Sequence, residues 1–495
     1  MSTKQHFTPT EEQQIILDSF QNHEVIKINA VAGSGKSSTL RLLAENNPVK
    51  SLYICFNKQN AVLAQQSFPP HTECRTVHSL AYATFGKLLA HKITYKDSYY
   101  VNRGRTPKEI VNLYSISDYR KNKVLVSAIQ IALFAKKTVE VFQNTAYDKV
   151  TLDCISKDVV ERLITLKDSA KTEVLSLVLR YAKKLWLDKV DPHSKVKADH
   201  DTYQKLFQLS SPKLDFDIIY LDEAQDSSPV VLDIISKQAK AKKVYVGDSY
   251  QSIYAFRQAV NAMDMIDAPT FLLSKSFRYG DEIAKIATKI IRDKITVQGL
   301  ETIKSVVNVF DEKKYTMVFR TNSCLLEYAV DLISQGVSIK CEIDPKKFQS
   351  LIYSTYYLKK GELNKIKDDE VSVYGNFEEM LEDSKNNPES KRLVNIVLTG
   401  KMFEYNKALD QLIKTKENKK FDVLLTTAHK SKGMEWDNVK IAEDFKIDVI
   451  TADVDSVEYN QQEVNLFYVA CTRSVKKLEL PQEYVDYLEC VKKED

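Results

Sequence analysis

The segment Ala30-Val31-Ala32-Gly33-Ser34-Gly35-Lys36-Ser37 constrains this chain more than any other stretch. It follows an apolar, β-branched run, Val25–Val31, and precedes a helical pattern, Ser38–Ala44. A strand that turns through glycines into a helix directs its turn N–H groups inward, at the positive end of the helix. That is a seat for phosphate oxygens. Lys36 is placed to reach the β and γ phosphates of ATP, and the Ser37 hydroxyl to hold Mg2+. Ala32, Gly33, Ser34, Gly35 and Ser38 complete the candidate cradle, with Ala30 in the place of the usual first glycine. The chain has only 12 glycines in 495 residues, so each one retained carries weight. Gly33 and Gly35 fall in this loop, and Gly247 and Gly433 fall in two further motifs.

A second anchor is Phe216–Leu221, an apolar run ending in Asp222-Glu223-Ala224-Gln225-Asp226. With a phosphate loop upstream, Asp222 is placed to bind Mg2+ through water and Glu223 to activate an attacking water. Further runs rich in β-branched residues, Ser51–Phe56, Lys243–Val246, Thr316–Phe319 and Val423–Thr427, read as buried parallel strands. Strands alternating with helical patterns predict α/β domains of the doubly wound kind. Residues 105–190 read as mainly helical, with Val124, Ile129, Ile131 and Leu133, then Val159, Leu163 and Leu166, at helical spacing. Residues 341–420 are polar and contain the breaker Asn386-Asn387-Pro388.

Composition excludes several classes. Hydrophobic residues at 43% supply ample core, so the chain is not disordered as a whole. There is no apolar run of about 18 residues, and so no expected membrane span. The seven cysteines stand singly without a CxxC pair, against a disulfide framework or zinc ribbon. The expectation is a reduced, soluble, intracellular protein, in a bacterial or phage-infected cytoplasm or in a nucleus. The net charge of +4 hides a basic block. Residues 81–210 hold 23 Lys or Arg against 14 Asp or Glu. That excess suits a polyanion partner, and a solvated lysine-rich surface equally.

Taken in order, these motifs resemble those of superfamily 1 helicases of the UvrD/Rep type. Thr10-Glu11-Glu12-Gln13 resembles the adenine-reading motif, and Phe56-Asn57-Lys58 and Thr76-Val77-His78-Ser79 the strand-contacting motifs that follow the phosphate loop. Val246–Arg257 is similar to the third motif, and Ser276-Phe277-Arg278 stands where the family has Asn-Tyr-Arg. Thr427–Trp436 and Tyr468-Val469-Ala470-Cys471-Thr472-Arg473 are similar to the fifth and sixth. His200–Leu206 resembles the F-box DNA helicase branch and its small phage and bacterial relatives.

The resemblance implies residue roles. Gln13 would read adenine and Phe277 stack on it. Gln251 would sense the γ-phosphate, Arg278 and Arg473 would act as arginine fingers, and Glu435 would sit near the ribose or γ-phosphate. Phe56, Asn57, His78, Tyr254, Phe256, Arg257, Arg320, Thr427 and His429 would form the DNA track, its aromatic rings stacking on bases. Asn465 stands where many relatives carry arginine.

It also implies two RecA-like P-loop motor domains, 1–85 with 205–275 and 276–340 with 421–495. Inserted in them are a basic helical domain, 86–204, and a small accessory domain, 341–420. The implied activity is a DNA-stimulated ATPase and ATP-dependent DNA helicase or translocase, moving 3′-to-5′ on single-stranded DNA in replication, recombination or repair. An alternative is a translocase that mainly strips recombinase or other proteins from single-stranded DNA with little unwinding. The implied partners are single-stranded DNA, single/double-strand junctions, and a single-strand-binding protein or recombinase.

Overall fold

The computed structural model describes residues 8–93, 106–121, 124–163, 167–253, 262–385, 388–415, 420–451 and 460–490. Its strands, in chain order, are β1 (Val25–Ala30), β2 (Ser51–Ile54), β3 (Thr72–Arg75), β4 (Tyr119–Lys121), β5 (Val124–Val126), β6 (Ile218–Leu221) and β7 (Lys242–Gly247). There follow β8 (Thr270–Leu273), β9 (Val306–Val307), β10 (Tyr315–Phe319), β11 (Ile339–Cys341), β12 (Val423–Thr427), β13 (Trp436–Ile441) and β14 (Ser474–Glu479). Two parallel sheets result, in the orders β3-β2-β6-β7-β1-β8 and β11-β12-β10-β13-β14-β9. The fold is the expected mixed α/β, with helices flanking parallel sheets.

Register decides where chemistry can gather. In the first sheet Asn29 of β1 pairs with Gly247 of β7, and Ile54 of β2 with Leu221 of β6. The carboxyl ends of these strands therefore share one edge. The phosphate loop, Asp222, the turn after Gly247 and Phe56 all emerge there, and such edges are where open parallel sheets bind ligands. In the second sheet Phe319 pairs with Thr427, which sets Arg320 beside the turn bearing His429.

The sheets are stitched through the phosphate loop. Val31 and Ala32 lie in one apolar cluster with Ile253, Tyr279, Val464 and Tyr468, so the loop packs into the core of the second sheet. Within the first sheet, Glu12 fixes the helix Glu11–Phe20 to the end of β8, accepting from the Ser274 N–H at 2.9 Å and the Ser274 hydroxyl at 2.6 Å.

The segment after the first strand-contacting motifs is mostly helical, as expected. Helices Ala128–Asn144 and Asp168–Val190 pack through Phe142 and Trp186, ring centroids 5.1 Å apart. Val124 departs from the expectation. It pairs with Lys121 in an antiparallel ribbon instead of sharing the helix of Ile129, Ile131 and Leu133. Ser127 is the reason. Its hydroxyl and the Gln130 side chain form a reciprocal cap that starts the helix at Ala128. Leu166, Asn386 and Asn387 lie outside the described residues.

The later polar segment folds into helices including Pro345–Lys359, Pro388–Leu398 and Met402–Thr415. It touches the first helical segment. The Arg162 guanidinium lies 5.6 Å from the Tyr374 ring centre, and Gln130 Nε2 donates to the Val373 carbonyl at 3.5 Å. Among the described residues no helix is long and apolar enough to cross a membrane, and no cluster of His, Cys, Asp or Glu is suited to a metal on its own.

Candidate active site

The loop leaves β1 and turns through Gly33 (φ +77°) and Gly35 (φ +82°) into helix Lys36–Asn46. Both glycines occupy the left-handed region that a side chain disfavours. Gly33 has a second reason to be glycine. A Cβ there would stand 2.6 Å from Arg278 Cβ and 2.8 Å from Ser276 Oγ. The second sheet's motif rests directly on the loop. The Phe277 N–H donates to the Gly33 carbonyl at 2.8 Å, the Ser276 hydroxyl to the Ala32 carbonyl at 2.8 Å, and the Ala32 N–H to the Tyr468 hydroxyl at 3.1 Å. Ser34 is buried, its hydroxyl donating to the Val31 carbonyl.

Gln13 and Phe277 face the same glycine. Gln13 Nε2 and Phe277 Cε2 each lie 3.7 Å from the position of a Gly35 Cβ. Gln13 is buried and its amide is already engaged, accepting from the Thr10 N–H at 3.0 Å and donating to Thr39 Oγ1 at 3.0 Å. Phe277 remains 37% exposed, its ring open to a planar ligand.

On the acidic side, the Ser37 hydroxyl donates to Asp222 Oδ2 at 3.0 Å, and the Tyr53 hydroxyl donates to the same oxygen. Burial, then the neighbouring Glu223 charge, pushes the Asp222 carboxyl up. Burial opposes the Glu223 charge too, but Lys36 and then Lys432 outweigh it and hold Glu223 well below the usual carboxylate range. Lys36 Nζ lies 3.7 Å from Glu223 Oε1, and Gln225 Nε2 donates to Glu223 Oε2 at 2.5 Å. Glu223 itself has φ +53°, a strained backbone for a non-glycine residue. A hydroxyl and a carboxylate in contact beside a glycine loop are oxygen donors of the kind Mg2+ takes. Ser37 and Asp222 therefore fit that ion.

Gln251 and Arg473 join the two sheets. Gln251 Nε2 donates to Asp248 Oδ2 at 2.7 Å, and its Oε1 accepts from Arg473 Nη2 at 3.4 Å. Arg473 is only 1% exposed. Its other partners are the carbonyls of Val469 (2.8 Å) and Met434 (3.2 Å) and the Thr472 hydroxyl (3.1 Å). Burial, and then Arg278, disfavours its charge. Arg278 donates to Glu435 Oε2 at 2.8 Å and to the Thr472 carbonyl at 3.1 Å. Lys432 crosses from the second sheet to donate to Asp226 Oδ2 and, at 2.5 Å, to the Gln251 carbonyl. Ser38 lies in the first turn of the loop's helix.

Tyr53, Gln225, Asp226, Lys432 and Tyr468 complete this site and were not among the expected residues. Four of them lie inside the sequence motifs, where adjacency was the available signal. Tyr53 carries none, since only the pairing of β2 with β6 brings it to Asp222.

The expected strand-contacting residues are less uniform. Phe56 is 55% exposed. Asn57 caps helix Lys58–Ser67, its Oδ1 accepting from the Asn60 N–H at 2.8 Å. His78 Nε2 lies 3.4 Å from Asp201 Oδ1, and its ring meets Tyr203 edge-on at 6.0 Å. Thr427 is buried at the end of β12. Burial, then the Arg320 charge, lowers His429 to about 4, so it is neutral near pH 7. Arg320 is engaged in a two-pronged pair with Glu463, Nε at 2.7 Å and Nη2 at 2.8 Å. Tyr254, Phe256 and Arg257 lie outside the described residues. Asn465 is buried, donating to the Ser252 carbonyl at 2.7 Å and so bracing the turn that follows Gln251.

A glycine loop on one parallel sheet, closed by arginines packed against a second, has the arrangement of a two-sheet phosphate-loop protein. Residues 10–266 match the UvrD/REP helicase N-terminal domain, and the chain belongs to this superfamily 1 family. It is 31% identical over 517 residues to F-box DNA helicase protein 1 of Schizosaccharomyces pombe, covering 95% of this chain and 57% of that protein. It is also 31% identical over 523 residues to F-box DNA helicase 1 of Gallus gallus, covering 95% and 49%. The chain thus spans about half the length of these two relatives.

Proposed function

We propose that the chain is an ATP-dependent DNA motor, a helicase or translocase that moves 3′-to-5′ on single-stranded DNA and unwinds duplex. The observation that carries this reading is the Gln251–Arg473 contact. It joins the acidic side of the first sheet to an arginine of the second across the glycine loop.

Lys36 and the loop N–H groups hold the ATP phosphates, while Gln13 and Phe277 flank the base. Ser37 and Asp222 would hold Mg2+, which neutralises phosphate charge when bound. Glu223, kept ionised by Lys36 and Lys432, accepts the proton of the attacking water. The water oxygen bonds to the γ phosphorus as the bond to the β–γ bridging oxygen breaks, releasing ADP and phosphate. Arg278 and Arg473 stabilise the charge that develops, and Gln251 reports it to the turn Asn465 braces. Loss of the γ-phosphate releases both arginines from it, and the sheets shift. Alternation between the two arrangements moves the strand.

Residues 1–85 with 205–275 and 276–340 with 421–495 would be the two motor lobes, with 86–204 and 341–420 as insertions. Phe56, Asn57, His78, Tyr254, Phe256, Arg257, Arg320, Thr427 and His429 would face the strand, Arg320 from its pair with Glu463. Junction DNA and a single-strand-binding protein or recombinase would be the partners.

Glu223→Gln tests the reading. Nucleotide binding should persist while steady-state turnover falls by about 10²-fold or more. Unchanged turnover would remove Glu223 as the base.

A further inference from the structure

A cavity of about 670 Å³ opens between one face of helix Pro345–Lys359 and the loop that follows it, well within the range of small-ligand sites. Lys346, Gln349, Tyr353 and Tyr357 stand on the helix side, spaced so that one face presents them all. Lys365 and Lys367 close the other side. The loop is pinned there. The Lys367 and Asp368 N–H groups both donate to the Ser354 hydroxyl, at 3.3 and 3.2 Å.

Every ionic side chain lining this cavity is a lysine. The nearby carboxylates engage groups other than Lys346 and Lys367 Nζ. Glu362 pairs with Lys365 at 2.6 Å, Asp410 accepts from Gln349 Nε2 at 2.9 Å, and Asp344 caps the helix. Lys346 and Lys367 have no ion-pair partner among the described residues. Tyr353 is 45% exposed and has no ring or hydrogen-bond partner among them. An open aromatic ring and two ammonium groups without ion-pair partners, lining one cavity, suit a ligand that is flat at one end and anionic at the other.

We propose that this cavity binds one nucleotide unit of a single-stranded nucleic acid, with the base on Tyr353 and its flanking phosphates on Lys346 and Lys367. The choice of nucleic acid over an acidic peptide rests on the reading of the chain as a DNA motor. The site would give the small insertion its own grip on the strand, apart from the motor track. Stacking on a ring tolerates any base, so the grip would be independent of sequence.

The test uses the full chain, fluorescein-labelled oligothymidylates of about eight and about thirty nucleotides, and a labelled acidic peptide. The double variant Lys346→Glu/Lys367→Glu should weaken binding of the longer strand by about tenfold. It should also lower the slope of log affinity against log salt by about 1.4, about 0.7 for each lost phosphate contact. Tyr353→Ala should weaken binding by about tenfold with the slope unchanged, and Tyr353→Phe should restore it. ATP hydrolysis at saturating DNA should be the same in all variants. Equal strand affinities in wild type and variants, with DNA-stimulated hydrolysis intact, would overturn the pocket and spare the motor reading. Weakened strand binding in a protein whose hydrolysis ignores DNA would keep the pocket and remove the motor reading. Loss of peptide binding alone would overturn it in favour of a protein partner.

Discussion

At the scale of single residues, the glycine loop shows how tightly backbone and partner motif are matched. Gly33 needs a positive φ, and a methyl group there would meet Arg278 and Ser276 at under 3 Å. Gly33→Ala should therefore lower stability by about 1–3 kcal/mol and loosen nucleotide binding, measured by urea denaturation and equilibrium titration. The loop, Asp222 and Glu223 stood out because phosphate chemistry requires fixed residue types next to one another in sequence, whereas Arg278 and Arg473 lie far apart and came only with the family resemblance. Arg320 was legible as a cation but not as a paired one, because Glu463 lies 143 positions away and shares no local pattern with it. Tyr53 was silent for the same reason. An alternating position in a buried strand says which face a ring takes, not which carboxylate it meets.

Between elements, two charged pairs carry testable weight. Arg320, after β10, grips Glu463 on helix Gln461–Cys471, and Glu463 is nearly buried. Arg320→Ala should cost about 3–5 kcal/mol in urea denaturation, since it strands a buried carboxylate. A loss below about 1 kcal/mol would assign the arginine to solvent or strand contact instead. Lys432 and Asp226 link the fifth motif to the acidic segment Asp222–Asp226. Burial raises the Asp226 carboxyl to about 6 against the pull of Lys432. A carboxyl raised on folding binds its proton more tightly in the native state. Its contribution is full below about pH 4 and is lost as pH rises through about 6. Relative to Asp226→Asn, the wild-type protein should lose up to about 3 kcal/mol between pH 4 and pH 7. A gap independent of pH would contradict this. The strands show the same division of legibility. Val423–Thr427 has the expected bounds because it is buried on both faces and β-branched. β3, β13 and β14 give no such signal, because their exposed positions carry charged or polar residues at every second or third place.

For the whole molecule, two sheets are coupled through one loop. The phosphate loop sits in the second sheet's core, and Arg473 reaches Gln251 across it. A strand gripped by both lobes should change how they close on nucleotide. Steady-state ATP hydrolysis with and without single-stranded DNA, at low salt with Mg2+, measures that coupling directly. Turnover should rise by at least about tenfold on adding the strand, with the gain abolished in Arg473→Ala. Equal turnover with and without DNA would contradict coupling between the sheets.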